Sequence, residues 1–171
     1  MFFVKEEERV ITLHPSFFGP HIKRYLDDKL LSDVEGTLQG DYFVVCVLEP
    51  HEYSEGKIVP GSAFAEYKVH YRAIVWKPFK GEIVDAQVSA IQPNGFFVAI
   101  GPMQVFIGRA QIPSDIKYDA QATPPQWTDH ADQIIEKGTQ IRLRLKGIRS
   151  EMGSLFAIGG IREDYLGVLE G

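Results

Sequence analysis

One segment in the second half of the chain combines positive charge with strict alternation. Residues 140–149 read Gln-Ile-Arg-Leu-Arg-Leu-Lys-Gly-Ile-Arg. Successive side chains of a β-strand point to opposite faces, so Arg142, Arg144 and Lys146 share one face and apolar residues share the other. Such a cationic stripe, continued by Arg149, can neutralise the phosphates of RNA. Exposed strands also carry lysine and arginine simply to prevent edge-to-edge association, and this alternative stays open.

Binding of single-stranded RNA on a β surface also needs aromatic rings on which bases can stack. Phe96 and Phe97 are adjacent, so a strand sends them to opposite faces and at most one lies in the core. Phe106 is a further candidate. We therefore predict RNA contacts at Phe97 and Phe106 together with the cationic residues. Residues 79–171 hold 9 Lys and Arg against 11 Asp and Glu, a net charge of −2, so this site is expected to be local and salt-sensitive.

Composition and the remaining motifs argue against catalysis. The 171 residues carry a net charge of −5, one cysteine and five scattered histidines without metal-ligand spacing. Neither a phosphate-binding loop nor a Gly-x-Ser-x-Gly elbow occurs. We expect a binding protein with no metal, cofactor or small-molecule substrate. Since no apolar run approaches the roughly 18 residues of a membrane span, we also expect a soluble nuclear or cytosolic protein without a membrane partner.

The second half of the chain reads as a small barrel. Turn residues such as Pro93-Asn94-Gly95 separate short strand candidates. Five such strands are typical of an OB-fold barrel, which often binds oligonucleotides. A segment rich in proline, residues 113–136, interrupts the series as an insertion. The predicted strands are Glu82–Ile91, Phe96–Ile100, Gln104–Ile107, Gln140–Ile148 and Leu155–Ile161.

The first half reads as an α+β module. Apolar residues at three- and four-residue spacing predict a helix over His21–Val34, and alternation predicts a strand over Ala65–Val75. Residues 40–48 are almost continuously apolar, which predicts a central strand covered on both faces, and residues 49–56 are predicted to be an exposed loop. A strand over Val4–Leu13 carries an acidic run typical of a solvated edge. The domains are predicted as residues 1–78 and 79–171.

Several motifs resemble the family of stalk subunits that contains subunit seven of eukaryotic RNA polymerase II and its archaeal counterpart. They extend over nearly the whole chain. These motifs are Leu13-His14-Pro15-Ser16-Phe17-Phe18-Gly19-Pro20, Asp33-Val34-Glu35-Gly36, Tyr71-Arg72-Ala73, Trp76-Lys77-Pro78-Phe79-Lys80-Gly81-Glu82, Gly95-Phe96-Phe97, Gly101-Pro102-Met103 and Glu163-Asp164-Tyr165-Leu166-Gly167.

The resemblance implies a ribonucleoprotein-like tip domain, followed by an OB-fold of the ribosomal-protein S-one type. It also implies a heterodimer with a subunit-four-like partner, docking on the polymerase core near the base of the clamp, contact with nascent single-stranded RNA, support of transcription initiation and a nuclear location. Two alternatives remain, a free RNA-binding protein of translation and a purely structural adaptor. The residues implied in core docking are Pro15, Phe17, Phe18, Gly19, Pro20, Pro60 and Gly61.

Overall fold

A computed structural model describes residues 1–170, which divide into two compact units. The first unit comprises Met1–Lys77 and the second begins at Pro78. The first unit contains one β-sheet and the second contains two. The elements of the first unit are β1 Phe2–Leu13, α1 Ile22–Val34, β2 Leu38–Gln39, β3 Tyr42–Tyr53, β4 Lys57–Ile58 and β5 Ala65–Trp76.

The first unit is an antiparallel sheet with one helix on one face. Its strand order is β1-β5-β3-β2, and β4 also pairs with β5. The helix buries Leu26, Leu30 and Val34, as its spacing predicts, against alternate residues of β1 and β5 such as Ile11 and Val69. The sheet places β1 at an edge, as its acidic run predicts.

A carboxylate joins the helix to the sheet. The Asp27 side chain accepts a hydrogen bond from the Tyr53 hydroxyl at 2.6 Å, and His51 Nε2 lies 2.7 Å from the same oxygen. Burial, with Asp27 as the next cause, raises the pKa of the Tyr53 hydroxyl far above its ordinary value. This cluster therefore connects α1 with the end of β3.

Two predictions for the third strand are wrong. Strand β3 does not end at Leu48 but continues to Tyr53, so the first part of the predicted loop is strand. Strand β5 is long enough to pair with residues of β3 beyond Leu48. A register shift between Leu48 and Glu52 accommodates Pro50. Strand β3 is also not covered on both faces, because Val44 is its one fully buried residue and β5 occupies the centre of the sheet.

The second unit is a closed five-stranded barrel with an inserted three-stranded sheet. Strands β6, β7, β8, β13 and β12 follow one another around the barrel, and β12 pairs with both β6 and β13. The pairing of β8 with β13 is parallel. The elements are β6 Ile83–Gln92, β7 Gly95–Ile100, β8 Met103–Gly108, β9 Lys117–Asp119, β10 Gln126–Thr128, β11 Ile134–Ile135, β12 Gln140–Glu151, β13 Ser154–Gly160 and β14 Gly167–Val168.

Every second side chain of the barrel strands points inward, and these side chains fill the barrel. Phe96 and, from β12, Ile141, Leu143 and Leu145 are fully buried, whereas the residues between them in β12 are half-buried and point outward. The inserted sheet is attached to the barrel through Trp127, whose indole nitrogen donates hydrogen bonds to the carbonyl oxygens of Gln92 and Gly95. The insertion is thus an integral part of the second unit. Among residues 1–170, no helix has the length and hydropathy needed to cross a lipid bilayer.

Candidate nucleic-acid interface

Two phenylalanines predicted as stacking residues meet on the outside of the barrel. Phe97 and Phe106 lie opposite each other in the β7–β8 ladder, with ring centroids 5.0 Å apart and planes tilted by 49°. Both rings are half-buried, while Phe96 is 0% exposed in the barrel core. The alternation of Phe96 and Phe97 therefore follows the sequence prediction and leaves one ring available to a base.

A glycine makes room for this ring pair. A Cβ atom at Gly95 would lie 2.2 Å from the carbonyl oxygen of Ile107 and 2.9 Å from the Phe106 ring. Carbon atoms do not approach so closely, so any larger residue must displace either the backbone of β8 or the ring. Gly95 thus fixes where Phe106 lies.

The apolar surface continues onto β13, a predicted strand from which no residue was predicted to contact RNA. Phe156 and Ile158 are 45% and 55% exposed, and Ile158 is paired with Phe106 across the parallel ladder. These two side chains line a cavity of about 390 Å³ with Phe106 and Arg149. The alternation of Leu155 and Ala157 with Phe156 and Ile158 was a signal that could have found them.

The cationic stripe has the predicted orientation. Ile141, Leu143 and Leu145 are 0% exposed inside the barrel, and the basic side chains between them point outward. Arg149 lines the same cavity as Phe106. Arg142 and Arg144 instead lie opposite Asp85 and Ile83 of β6, so the structure brings only part of the predicted set close to the rings.

Carboxylates balance each cation of the stripe, an arrangement that the sequence did not reveal. Arg142 makes two hydrogen bonds to Asp85, of 2.7 and 3.0 Å. Glu163 lies 2.7 Å from Lys146 Nζ and 2.8 Å from Arg144 Nε. The Glu151 carboxylate lies 3.3 Å from Arg149. Bound phosphates would therefore compete with these partners.

The ion pairs also lower the pKa values of two of these carboxyl groups. The hydrogen bond from Arg142 lowers the pKa of Asp85, and the hydrogen bond from Lys146, with the charge of Arg144, lowers the pKa of Glu163. Both carboxylates are therefore charged at neutral pH.

The residues predicted to dock on a larger assembly come together at one end of the first unit. Pro15–Phe17 form a 3-10 turn, and Phe17 and Phe18 are 44% and 41% exposed. The Phe17 ring packs on Tyr25 of the helix at 5.0 Å, and Gly19 and Pro20 are exposed.

The second predicted docking segment reaches the same end of the sheet. Pro60 and Gly61 are exposed between β4 and β5, and Phe64 from this loop contacts the ring of His14 edge-on, with centroids 5.3 Å apart. Because β1 ends at Leu13 opposite Ala65, the two segments are brought together by strand pairing. Phe64 is 40% exposed, so each of the two segments presents a partly exposed phenylalanine ring at this end of the unit.

Comparisons with known proteins agree with both modules. Residues 8–63 match the model of the SHS2 domain found in the N terminus of Rpb7p/Rpc25p/MJ0397, and residues 77–157 match the S1 RNA binding domain. The chain is 48% identical over 171 residues to DNA-directed RNA polymerase II subunit rpb7 of Schizosaccharomyces pombe, covering 98% of this chain and 99% of that protein. This chain belongs to the Rpb7 family.

Other members of the Rpb7 family extend the similarity. The subunit RPB7 of Saccharomyces cerevisiae RNA polymerase II is 44% identical over 172 residues, covering 99% of this chain and all of that protein. The archaeal RNA polymerase subunit Rpo7 of Saccharolobus shibatae is 27% identical over 165 residues, covering 94% and 91%. The predicted fold class and the family resemblance are thereby confirmed.

Proposed function

We propose that this chain is the stalk subunit of nuclear RNA polymerase II, an accessory subunit without catalytic residues of its own. It forms a heterodimer with a subunit-four-like partner, docks on the polymerase core near the base of the clamp, binds nascent RNA and supports initiation. The observation that carries this proposal is similarity over the full chain to proteins named as polymerase II subunits. The alternative of a free translation protein lacks such support.

The exposed rings at one end of the first unit support the docking role. Phe17, Phe18 and Phe64 are 44%, 41% and 40% exposed, and burying these rings against a partner would stabilise a complex. Aromatic residues of this kind dominate the binding energy of protein interfaces. Pro15 and Pro60 restrain the loops that present them, and Gly61 supplies the positive φ of 77° at its turn.

The ring pair supports RNA binding by the second unit. Phe97 and Phe106 offer stacking area, and Arg149 lies beside the same apolar surface. Stacking contributes about 1 to 3 kcal/mol per base. The ion pairs on the stripe reduce the electrostatic contribution of Arg142, Arg144 and Lys146, so this interaction depends largely on the rings.

The same ion pairs favour a second candidate function, that of a structural adaptor without RNA contact. Every cation of the stripe has an acidic partner, which suits a surface whose role is to be neutral. The two functions differ in one measurable property, the affinity of the chain for single-stranded RNA.

The test measures RNA binding and assembly with the same variants. Fluorescence anisotropy of a labelled single-stranded RNA is recorded with the full chain, with F97A/F106A and with the control F2A, in which a 64% exposed ring outside the barrel is removed. We expect F97A/F106A to weaken binding about tenfold, the factor for one lost stacking contact. Charge reversal at Arg142, Arg144 and Lys146 is expected to reduce the salt dependence.

Assembly is followed by copurification of each variant with the subunit-four-like partner and the polymerase core. All variants are expected to assemble like the unmodified chain. If the unmodified chain does not bind RNA, the result would support the structural adaptor instead. If it assembles with neither the partner nor the core, the stalk role is contradicted.

A further inference from the structure

A second cavity of the barrel unit collects positive charge that no acidic side chain in its lining balances. It has a volume of about 530 Å³ and is lined by Arg109, Lys117 and Arg162 together with Ser114 and the buried ring of Trp127. Neither aspartate nor glutamate lines it. This distinguishes the cavity from strand β12, where every cation of the stripe has an acidic partner.

Three separate segments supply these cations. Arg109 begins the 3-10 turn after β8, Lys117 begins β9, and Arg162 follows β13. Arg162 Nη1 donates a hydrogen bond to the carbonyl oxygen of Ala110 at 3.1 Å, which fixes one side of the cavity. Within residues 1–170, none of the three cations forms an ion pair. Their charge is therefore available to an anion.

The cavity lies at the end of the strands that carry the ring pair. Gly95 pairs with Gly108, two residues along the ladder from the pairing of Phe97 with Phe106. The Phe106 ring lies against both glycines, so it extends toward this end. Arg109 follows Gly108 directly, three residues beyond Phe106, a distance of about 10 Å in an extended strand.

The distance of about 10 Å between Phe106 and Arg109 is shorter than the stretch of single-stranded RNA that such a domain binds. An OB-fold binds about 4 to 16 nucleotides of a single strand, so a strand that stacks on the rings is long enough to reach the cavity. Arginine guanidinium groups match the oxygens of a phosphate with two parallel hydrogen bonds. The apolar surroundings of Trp127 strengthen such bonds, because the local dielectric constant is lower than that of water.

We propose that this cavity binds a backbone phosphate of the RNA strand whose base stacks on Phe97 and Phe106. Arg109, Lys117 and Arg162 donate hydrogen bonds to the phosphate oxygens. The inference rests on the proposed function, because it requires RNA at the ring pair. It adds a phosphate site beyond the ends of β7 and β8. The bound RNA then runs from the ring pair toward the inserted sheet.

The experiment compares two matched double variants of the full chain. R109Q/K117Q removes two cavity cations and keeps Arg162, whose hydrogen bond to Ala110 holds the local backbone. K80Q/K137Q removes the same charge from exposed positions outside the cavity. Anisotropy of a labelled oligouridine of about 12 nucleotides is measured between about 50 and 200 mM KCl.

We expect R109Q/K117Q to bind about three- to tenfold more weakly at low salt, and to show a salt slope shallower by about 0.7 to 1.4. The control is expected to stay within about twofold of the unmodified chain. F97A/F106A serves as the third arm, since it should weaken binding without changing the salt slope. Thermal unfolding of each variant checks that the fold is kept.

The outcomes separate the inference from the function on which it rests. If F97A/F106A weakens binding while R109Q/K117Q behaves like K80Q/K137Q, the cavity proposal is overturned and the RNA-binding role stands. If the unmodified chain binds no RNA, the RNA-binding role fails first and the cavity proposal fails with it.

Discussion

Glu163 accepts a hydrogen bond of 2.7 Å from Lys146, and its other oxygen lies 2.8 Å from Arg144. One carboxylate thus pairs with two of the four cations of the β12 stripe. An RNA phosphate must therefore compete with Glu163 for the hydrogen-bond donors of Lys146 and Arg144. The acid therefore limits how strongly the stripe contributes to RNA binding.

Removing this carboxylate should strengthen RNA binding. In E163Q the ammonium of Lys146 and the guanidinium of Arg144 become available, and we expect about a two- to fivefold higher affinity and a salt slope steeper by about 0.7 per new phosphate contact. Anisotropy titrations at several salt concentrations measure both. The matched control is D132N, which removes one exposed negative charge elsewhere in the unit. Equal gains in E163Q and D132N would assign the effect to net charge alone.

The pair of Asp85 and Arg142 predicts a pH-dependent contribution to stability. Since Arg142 lowers the pKa of the Asp85 carboxyl, the pair stabilises the fold above the ordinary pKa of aspartate, and this stabilisation is lost as the pH falls through the lowered value. Because Asp85 is exposed, water screens the pair and the effect on unfolding is small. NMR titration should show the Asp85 pKa rising to its ordinary range in R142Q and staying low in R149Q. An unchanged Asp85 pKa in R142Q would show that the contact does not form.

The link between helix α1 and strand β3 should respond strongly to loss of Asp27. In D27A the Tyr53 hydroxyl and the largely buried His51 ring lose their acceptor, which we expect to cost about 1 to 3 kcal/mol of unfolding free energy. Urea unfolding measures this cost. The neighbouring exposed carboxylate gives the control, since D28A should change stability by less than about 0.5 kcal/mol. Equal stability of the two variants would mean that Asp27 does not anchor the helix.

Gly95 should tolerate no side chain. In G95A the added methyl group meets the Ile107 carbonyl oxygen at 2.2 Å, and we expect a loss of about 1 to 3 kcal/mol together with weaker RNA binding as the Phe106 ring moves. G147A is the control, because Gly147 has open space at its Cβ position. Denaturant unfolding and RNA anisotropy of both variants test the expectation. A fully stable G95A would show that β8 can move to accommodate the methyl group.

The partly exposed ring of Phe18 should matter more for assembly than for folding. Because Phe18 is 41% exposed, F18S loses only part of the stabilisation that a fully buried ring provides, and we expect a cost of about 1 to 2 kcal/mol of unfolding free energy. Copurification with the polymerase core is expected to fall severalfold. The control F2S alters a ring that is more exposed, outside the docking segments. Undiminished copurification of F18S would remove this residue from the docking surface.

The positions of the strands could be predicted from the sequence more accurately than the ion pairs between them. All five barrel strands lie within a few residues of their predicted bounds, because inward and outward side chains alternate strictly along them. Loop placement failed near Pro50, where pairing with β5 outweighed the local turn signal. The acid facing Arg142 lies 57 residues away in the chain, a distance that only the folded barrel removes. The same holds for the three cations of the cavity, which come from segments spread over more than 50 residues.

The pairing of β1 with β5 has a consequence for synthesis of the chain. Phe2 lies opposite Trp76, and Leu13 lies opposite Ala65, so strand β1, which is made before the other strands of its unit, pairs within residues 1–170 with the last of them. Contacts between such distant residues form late, since the loop between them must close first. Until β5 has been synthesised, the backbone of β1 lacks the partner it has in the folded unit, and its run of glutamates protects the unpaired strand from association with other chains.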